Sequence, residues 1–232
     1  MSLTLHYFGT PNGHKVAIAL EEMGLSCTLV MVDILRGGQA DPAFLTISPN
    51  GRIPALTHDR PEGRVVVFES GAILQYLARL TGRFTSADEA VRAEIESWLF
   101  WQMAGLGPTL GHVNWFARAA RKPGRDPSET GLALHRFRKE SARLFGVLEQ
   151  RLDGRAFLCG AYSIADMACW PWVDKYHAHA GELADYPAIA AWRARIAARP
   201  AVQRALRLGE GQLVHTPEDI AAAGLTPGAK PR

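Results

Sequence analysis

A chain of 232 residues, 47% of them hydrophobic, is long enough for two domains and can bury a sizeable core. Its 26 Lys and Arg against 23 Asp and Glu leave a formal charge of +3, without the concentrated basicity of a nucleic-acid binder; a small anionic ligand suits that balance better. No run of about 18 or more apolar residues occurs and the first residues carry no leader pattern, so a soluble, cytoplasmic protein without membrane contacts is expected. Cys27, Cys159 and Cys169 form neither a Cys-x-x-Cys pair nor a disulfide spacing. They read as small buried hydrophobes in a reducing compartment and not as nucleophiles.

In chain order, apolar alternation predicts a strand over 3–8. A helix over 15–23 follows, with Val16, Leu20 and Met23 on one face, and then a strand over 27–32. A loop with Gly37 and Gly38 leads to two short strands, 54–57 and 64–68, about a turn at 59–63. A helix over 70–80 buries Ile73, Leu77 and Leu80. The order β-α-β, β-β-α is the thioredoxin-like arrangement. Beyond Gly82 only amphipathic stretches appear, at about 88–105, 128–152, 164–179 and 188–198, so the second domain is expected to be all helical. From Gly209 onward the periodicity disappears, which suits a tail.

Three stretches carry chemistry. Thr10-Pro11-Asn12-Gly13 stands between the first strand and the first helix, where a thioredoxin-like domain often has Cys-x-x-Cys; here there is no sulfur. The positive helix end still favours a thiolate, and Thr10 and Asn12 can donate hydrogen bonds to one, so the attacking sulfur can come from a cofactor. The plainer alternative is a helix start capped by Asn12. In Asn50-Gly51-Arg52-Ile53-Pro54 a turn feeds a strand through an Ile-Pro bond. A cis bond there would turn the N–H and C=O of Ile53 outward to pair with a short peptide; otherwise the stretch is only a strand start. Glu69-Ser70-Gly71 places a carboxylate and a hydroxyl at a helix N-terminus. Ser70 and the first-turn N–H groups suit an α-carboxylate and Glu69 the adjacent α-ammonium, as in a γ-glutamyl group, while the alternative is an ordinary Ser cap.

These stretches occur in the order that builds one groove. With Gly37-Gly38-Gln39, Trp98-Leu99-Phe100-Trp101-Gln102, Gly105-Leu106-Gly107-Pro108 and the run from Tyr162-Ser163-Ile164-Ala165-Asp166 to Trp170-Pro171-Trp172, the chain resembles the nu-class glutathione transferases. That family includes bacterial glutathione-dependent disulfide-bond oxidoreductases, and the resemblance covers about residues 3–208. It implies a glutathione transferase fold: a thioredoxin-like α/β domain over 1–83, an all-helical domain over 84–208 and a tail over 209–232. Glutathione would be the cosubstrate, with one or two molecules per site. Thr10 and Asn12 would face its sulfur, Gln39 and Arg52 its glycyl end, Ile53 its cysteinyl backbone, and Glu69 with Ser70 its γ-glutamyl end. Arg136 matches an arginine that reaches the ligand from the helical domain, with Arg138, Lys139 and Arg143 as nearby alternatives. The implied reaction is disulfide reduction by a homodimer. The alternatives are conjugation of glutathione to carbon electrophiles, or a non-catalytic glutathione-binding module.

Other signals point to structure. Alternation puts Leu3, Leu5 and Tyr7 on one packed face, which argues against Tyr7 as a sulfur ligand. Ser163 to Asp166 is a capping-box variant assigned to stability. Trp98, Phe100, Trp101 and Trp115 read as core, and His177 and His179 lack the spacing and partners of a metal site. Arg118, Arg121, Lys122 and Arg125 read most simply as a solvated basic loop, with long-range attraction of glutathione carboxylates as the alternative.

Overall fold

The computed structural model describes residues 2–121, 126 and 128–213. Lys122, Arg125 and the tail beyond 213 lie outside the described residues. Strands β1 (Ser2–Tyr7), β2 (Cys27–Met31), β3 (Ala55–Arg60) and β4 (Gly63–Phe68) form one mixed sheet in the order β2-β1-β3-β4. The pair β1/β2 is parallel, and β3 runs antiparallel to both β1 and β4. Parallel neighbours need a crossover, which helix α1 (Pro11–Met23) supplies. Alternation along β1 buries Leu3, Leu5 and Tyr7 as expected. The loop containing Gly37 and Gly38 is partly ordered into a 3₁₀ turn and the short helix α2 (Pro42–Leu45), before a cis Ile53–Pro54 bond and β3.

Helix α1 begins four residues earlier than periodicity alone places it. Thr10, extended at φ −115°, accepts a hydrogen bond from the Gly13 N–H at 3.3 Å, and Pro11 takes the first helical position, where its missing N–H costs nothing. Thr10, and not Asn12, is therefore the cap. At the other end Gly24 adopts φ 69°, and its N–H bonds back to the last turn.

Beyond α3 (Ser70–Thr81) the described chain is helical: α4 (Glu89–Trp101), a π-helical stretch Gln102–Leu106, α5 (Gly107–Ala119) and α6 (Ser128–Leu152) come first. α7 (Ile164–Tyr176), α8 (Pro187–Ala197) and α9 (Pro200–Leu206) complete it. Besides a small second cluster around Val32, Phe44 and Ala55, the main hydrophobic core joins the sheet half to the helical half. α1 lies at its centre, packed against α3, α7 and α9. At its C-terminal end Glu22 and Glu21 pair with Arg199, at 2.5 and 2.8 Å, and with Arg204 at 2.8 Å.

The capping box that opens α7 is buried. The Asp166 carboxylate accepts from the Ser163 N–H (3.0 Å) and hydroxyl (3.3 Å), the Leu158 N–H (3.0 Å) and the Trp192 indole N–H (2.9 Å). Burial pushes its pKa up, and these four donors oppose that by favouring the charged form. Removing the carboxylate strands four donors at once. Asp166→Ala is expected to lower stability by about 3 kcal/mol or more, and Ser163→Ala by about 1–2 kcal/mol. Urea unfolding of the two variants checks this order, and a smaller loss in Asp166→Ala contradicts it.

Candidate functional site

Between β1 and the start of α1 the chain turns sharply, with the Thr10 N–H bonded to Phe8 O at 2.7 Å. Gly13 makes the turn possible: a Cβ there would stand 2.2 Å from Phe8 O and 2.8 Å from the Tyr7 ring. The turn opens into a cleft of about 590 Å³ between the two halves. Thr10, Asn12, Gln39, Arg52 and Ile53 all line it, brought together from three separate segments. The opposite wall comes from α5 and α7 through Asn114, Arg118, Trp172 and Lys175.

Two donors at the α1 N-terminus are oriented. Because Thr10 Oγ1 already accepts from Gly13, its hydroxyl proton is directed elsewhere. Asn12 Oδ1 accepts from the Trp172 indole N–H at 2.9 Å across the junction between the halves. An indole N–H only donates, so the amide oxygen must face it and the NH₂ group must point away from it. Two side chains with hydrogen-bond donors left over thus stand at the positive end of a helix whose first turn holds no acidic residue.

The remaining sequence-derived residues divide. Gln39 is half-buried, and its Oε1 is enclosed with no hydrogen-bond partner among the described residues. Arg52 is exposed at the cleft rim. Glu69 and Ser70 sit at the start of α3 and do not line this cleft, but Glu69 is tied to the turn beside it by a hydrogen bond from Asn50 Nδ2 at 3.4 Å. Glu69 holds φ 70° and ψ 119°, a strained conformation for a residue with a side chain, and such strain concentrates at functional sites. Ser70 is buried and accepts from Lys15 Nζ at 3.4 Å. The structure does not bring Arg136 to the cleft: it is exposed on α6, near Glu140. From the helical half the cations that reach the cleft are Arg118 and Lys175; the Lys175 pKa is lowered by desolvation first and by Arg118 second. Arg118 belongs to α5, not to a solvated loop as the sequence suggests.

Three residues in or beside the site carried no legible signal for their place there: Trp172, Lys175 and Lys15. Lys15 had only its place two residues past the Pro-Asn-Gly turn as a signal.

Tyr7 is fully buried, desolvation raises its pKa, and it lines a neighbouring cavity of about 690 Å³ instead of the cleft. That cavity also holds His14, which desolvation first and the Lys175 charge second hold down to about 4, so the ring is neutral near pH 7. Cys159 and Cys169 are buried and Cys27 half-buried, all three are free, and desolvation raises each thiol pKa. No group of His, Cys, Asp and Glu suited to a metal occurs among the described residues.

A thioredoxin-like sheet with polar side chains at the start of its first helix, and a helical half closing the cleft there, defines a two-part architecture with a ligand-sized cleft at the junction. The chain matches the family described as glutathione S-transferase, N-terminal domain, over residues 1–79, and the glutathione S-transferase C-terminal domain over 127–200. It is 46% identical over 208 residues to the disulfide-bond oxidoreductase YfcG of Escherichia coli, covering 88% of this chain and 94% of that protein. To YghU, a second disulfide-bond oxidoreductase of that organism, it is 37% identical, covering 87% and 73%. A glutathione transferase from Burkholderia graminis, solved with two glutathione molecules bound per subunit, superposes with a TM-score of 0.83 at 40% identity, covering 90% of this chain and 89% of that one. One from Pseudomonas putida, solved with one glutathione disulfide per subunit, gives 0.81 at 37% identity, covering 89% and 91%. The chain belongs to the glutathione S-transferase family.

The indole bond to Asn12 has a consequence that can be measured. Trp172→Phe keeps an aromatic ring at the junction, with some loss of packing against Gly107 and Gly111, and removes the N–H, leaving the amide free to rotate. Thiolate absorbance of bound glutathione against pH is expected to show its pKa raised by about half a unit or more, while circular dichroism stays unchanged. An unshifted thiol pKa argues against this orienting role.

Proposed function

We propose that the chain binds glutathione in the cleft at the α1 N-terminus and uses its thiolate to reduce disulfides. The observation that carries this reading is the pair of donors, Thr10 Oγ1 and Asn12 Nδ2, freed by their own bonding to face an anion at the positive end of α1. The names of YfcG and YghU and the ligands of the two solved relatives point the same way. Gln39 and Arg52 take the glycyl end, Ile53 the cysteinyl backbone, and Glu69 with Ser70 the γ-glutamyl end. Arg118 and Lys175 are better placed than Arg136 to meet ligand carboxylates from the helical half.

Chemically, hydrogen bonds and the helix end lower the bound thiol's pKa, so that it ionises near neutral pH. The thiolate attacks one sulfur of a substrate disulfide, forming a glutathionyl mixed disulfide and expelling the other sulfur as a thiolate. A second glutathione thiolate then attacks the mixed disulfide, giving glutathione disulfide and the second substrate thiolate. No cysteine of the protein takes part. A second reading, conjugation to carbon electrophiles, is favoured by the neighbouring cavity, where Met31, Trp170, Leu206 and Leu208 give an apolar lining contiguous with the cleft at Phe8 and Gly9. Turnover on a small disulfide compared with an aryl halide separates the two.

We also infer a homodimer. Phe100 on α4 is 60% exposed and Trp115 on α5 58%, against the expectation that both are core, and Val66 and Phe68 on the edge strand β4 are exposed as well. Apolar surface of this kind commonly marks an interface, and two-fold pairing is the commonest way to cover it. No described helix is long and apolar enough to cross a membrane.

Two outcomes are expected. Replacing all three cysteines by Ala or Ser leaves most disulfide-reductase turnover intact, whereas Asn12→Ala slows it by roughly tenfold or more, the effect of losing about 1.4 kcal/mol of thiolate stabilisation. A folded triple variant that binds glutathione but is inactive refutes the borrowed-sulfur mechanism. Sedimentation at micromolar concentration should show about twice the 25.3 kDa chain mass, and Phe100→Glu should shift it toward the monomer. A monomeric wild type rules the dimer out.

A further inference from the structure

Lys15 is 1% exposed, and its ammonium ends at the place where α1, α3 and the π-helical stretch meet. Its partners are all neutral: Gln102 Oε1 at 2.5 Å, Ser70 Oγ at 3.4 Å and Met103 Sδ at 3.4 Å. No carboxylate pairs with it among the described residues, although a buried charge ordinarily demands one. An ammonium only donates, so Ser70 Oγ must accept from it, and the Ser70 proton is left for a different acceptor. At present that proton meets only Met103 Sδ at 3.6 Å, a weak acceptor that is easily exchanged for a stronger one.

We propose that Lys15 is the positioning residue for the α-carboxylate of the γ-glutamyl group: from behind Ser70 it aims the hydroxyl at that carboxylate and supplies the buried positive charge that the carboxylate neutralises. The proposal rests on the reading that Glu69 and Ser70 hold this end of glutathione. A carboxylate bonded to Ser70 would lie within about 6 Å of the ammonium in a largely dry environment, close enough for strong coupling.

The coupling makes binding depend on pH. Burial holds the Lys15 pKa down to about 7, against smaller opposing contributions from Cys169 and Glu69. A carboxylate arriving beside it raises that pKa, so binding is strongest where Lys15 is already protonated and weakens as pH rises through about 7. The other groups facing this position from packed elements do not mimic the effect. Glu69 is the acidic group at the start of α3; Cys169 on α7 has its pKa pushed well above its usual value by burial and stays a neutral thiol; Gln102 and Met103 do not titrate. His14, next along α1, is neutral across this range, and Arg199 and Arg204 on α9 pair with Glu22 and Glu21 at the far end of α1.

The test is calorimetry with S-methylglutathione, whose thiol cannot titrate, and with its analogue in which 4-aminobutyryl replaces γ-glutamyl, so that only the α-carboxylate is lost. At pH 7.5, in buffers of different ionisation enthalpy, the wild type is expected to take up about half a proton or more on binding S-methylglutathione and almost none with the analogue. Lys15→Met should lose that uptake and bind S-methylglutathione at least about tenfold more weakly, yet bind the analogue within about twofold of wild type. Should Lys15→Met fold poorly, Lys15→Met combined with Gln102→Leu removes both partners of the buried bond together, and the two wild-type measurements need no variant. Equal losses on both ligands would mean that Lys15 only pins the helices together, and unchanged proton uptake in the variant would equally overturn the proposal. Failure of the underlying reading looks different: the wild type would not distinguish the two ligands, and Glu69→Ala would bind S-methylglutathione as tightly as wild type.

Discussion

Enclosure of helix α1 is the constraint on which the rest of the molecule depends. Val16, Ala17, Ile18, Ala19 and Leu20 are all buried, because the helix packs against α3, α7 and α9 and shares one apolar cluster with Leu3, Leu5 and Tyr7 of the sheet. A helix held on every side cannot slide or roll without opening contacts with both halves. Its N-terminus is therefore a fixed point, and every candidate site group is positioned relative to it. The same enclosure explains why one core serves both halves and why the cleft lies at their junction.

A second regularity runs through the site. Side chains that can only donate settle the orientation of those that can do either. The Trp172 indole dictates which end of the Asn12 amide faces the cleft, and the Lys15 ammonium does the same for Gln102 and Ser70. In both cases the orienting group comes from a different element than the group it orients. Such arrangements spare a site the cost of reorganising polar groups as charge develops, which is where preorganised donors contribute most.

The sequence made the sheet half legible almost element by element, since alternation, turn residues and the Thr-Pro-Asn-Gly and Glu-Ser-Gly stretches act locally. The helical half was less complete. α5 contains Gly107, Pro108 and Gly111, residues that lower helix propensity, and it persists because Leu110 and Val113 are buried in tertiary contacts that no local window registers. α9 has only seven residues, too few for periodicity to show. Lys15 was hidden for the opposite reason: a lysine on an amphipathic helix ordinarily marks the solvated face, and here a third packing direction covers that face. Trp172 stood in a recognised motif, but its bond to Asn12 spans 160 positions and cannot be read from spacing. Phe100 and Trp115 were misread because aromatic residues in a helical run fit a core and an exposed patch equally well.

The tight approach at Gly13 bears on how this lineage can change. Where a thioredoxin-like domain often carries a Cys-x-x-Cys, the helix start here reads Thr10-Pro11-Asn12-Gly13. Any side chain at Gly13 would collide with Phe8 O and the Tyr7 ring, atoms that belong to the buried β1 strand and the turn it feeds. A cysteine cannot simply be reintroduced there by one codon change, because the strand end would have to move first, and with it the cap that shapes the cleft. The helix start is thus closed to a side chain at this position by geometry: accommodating one takes several coordinated substitutions instead of one.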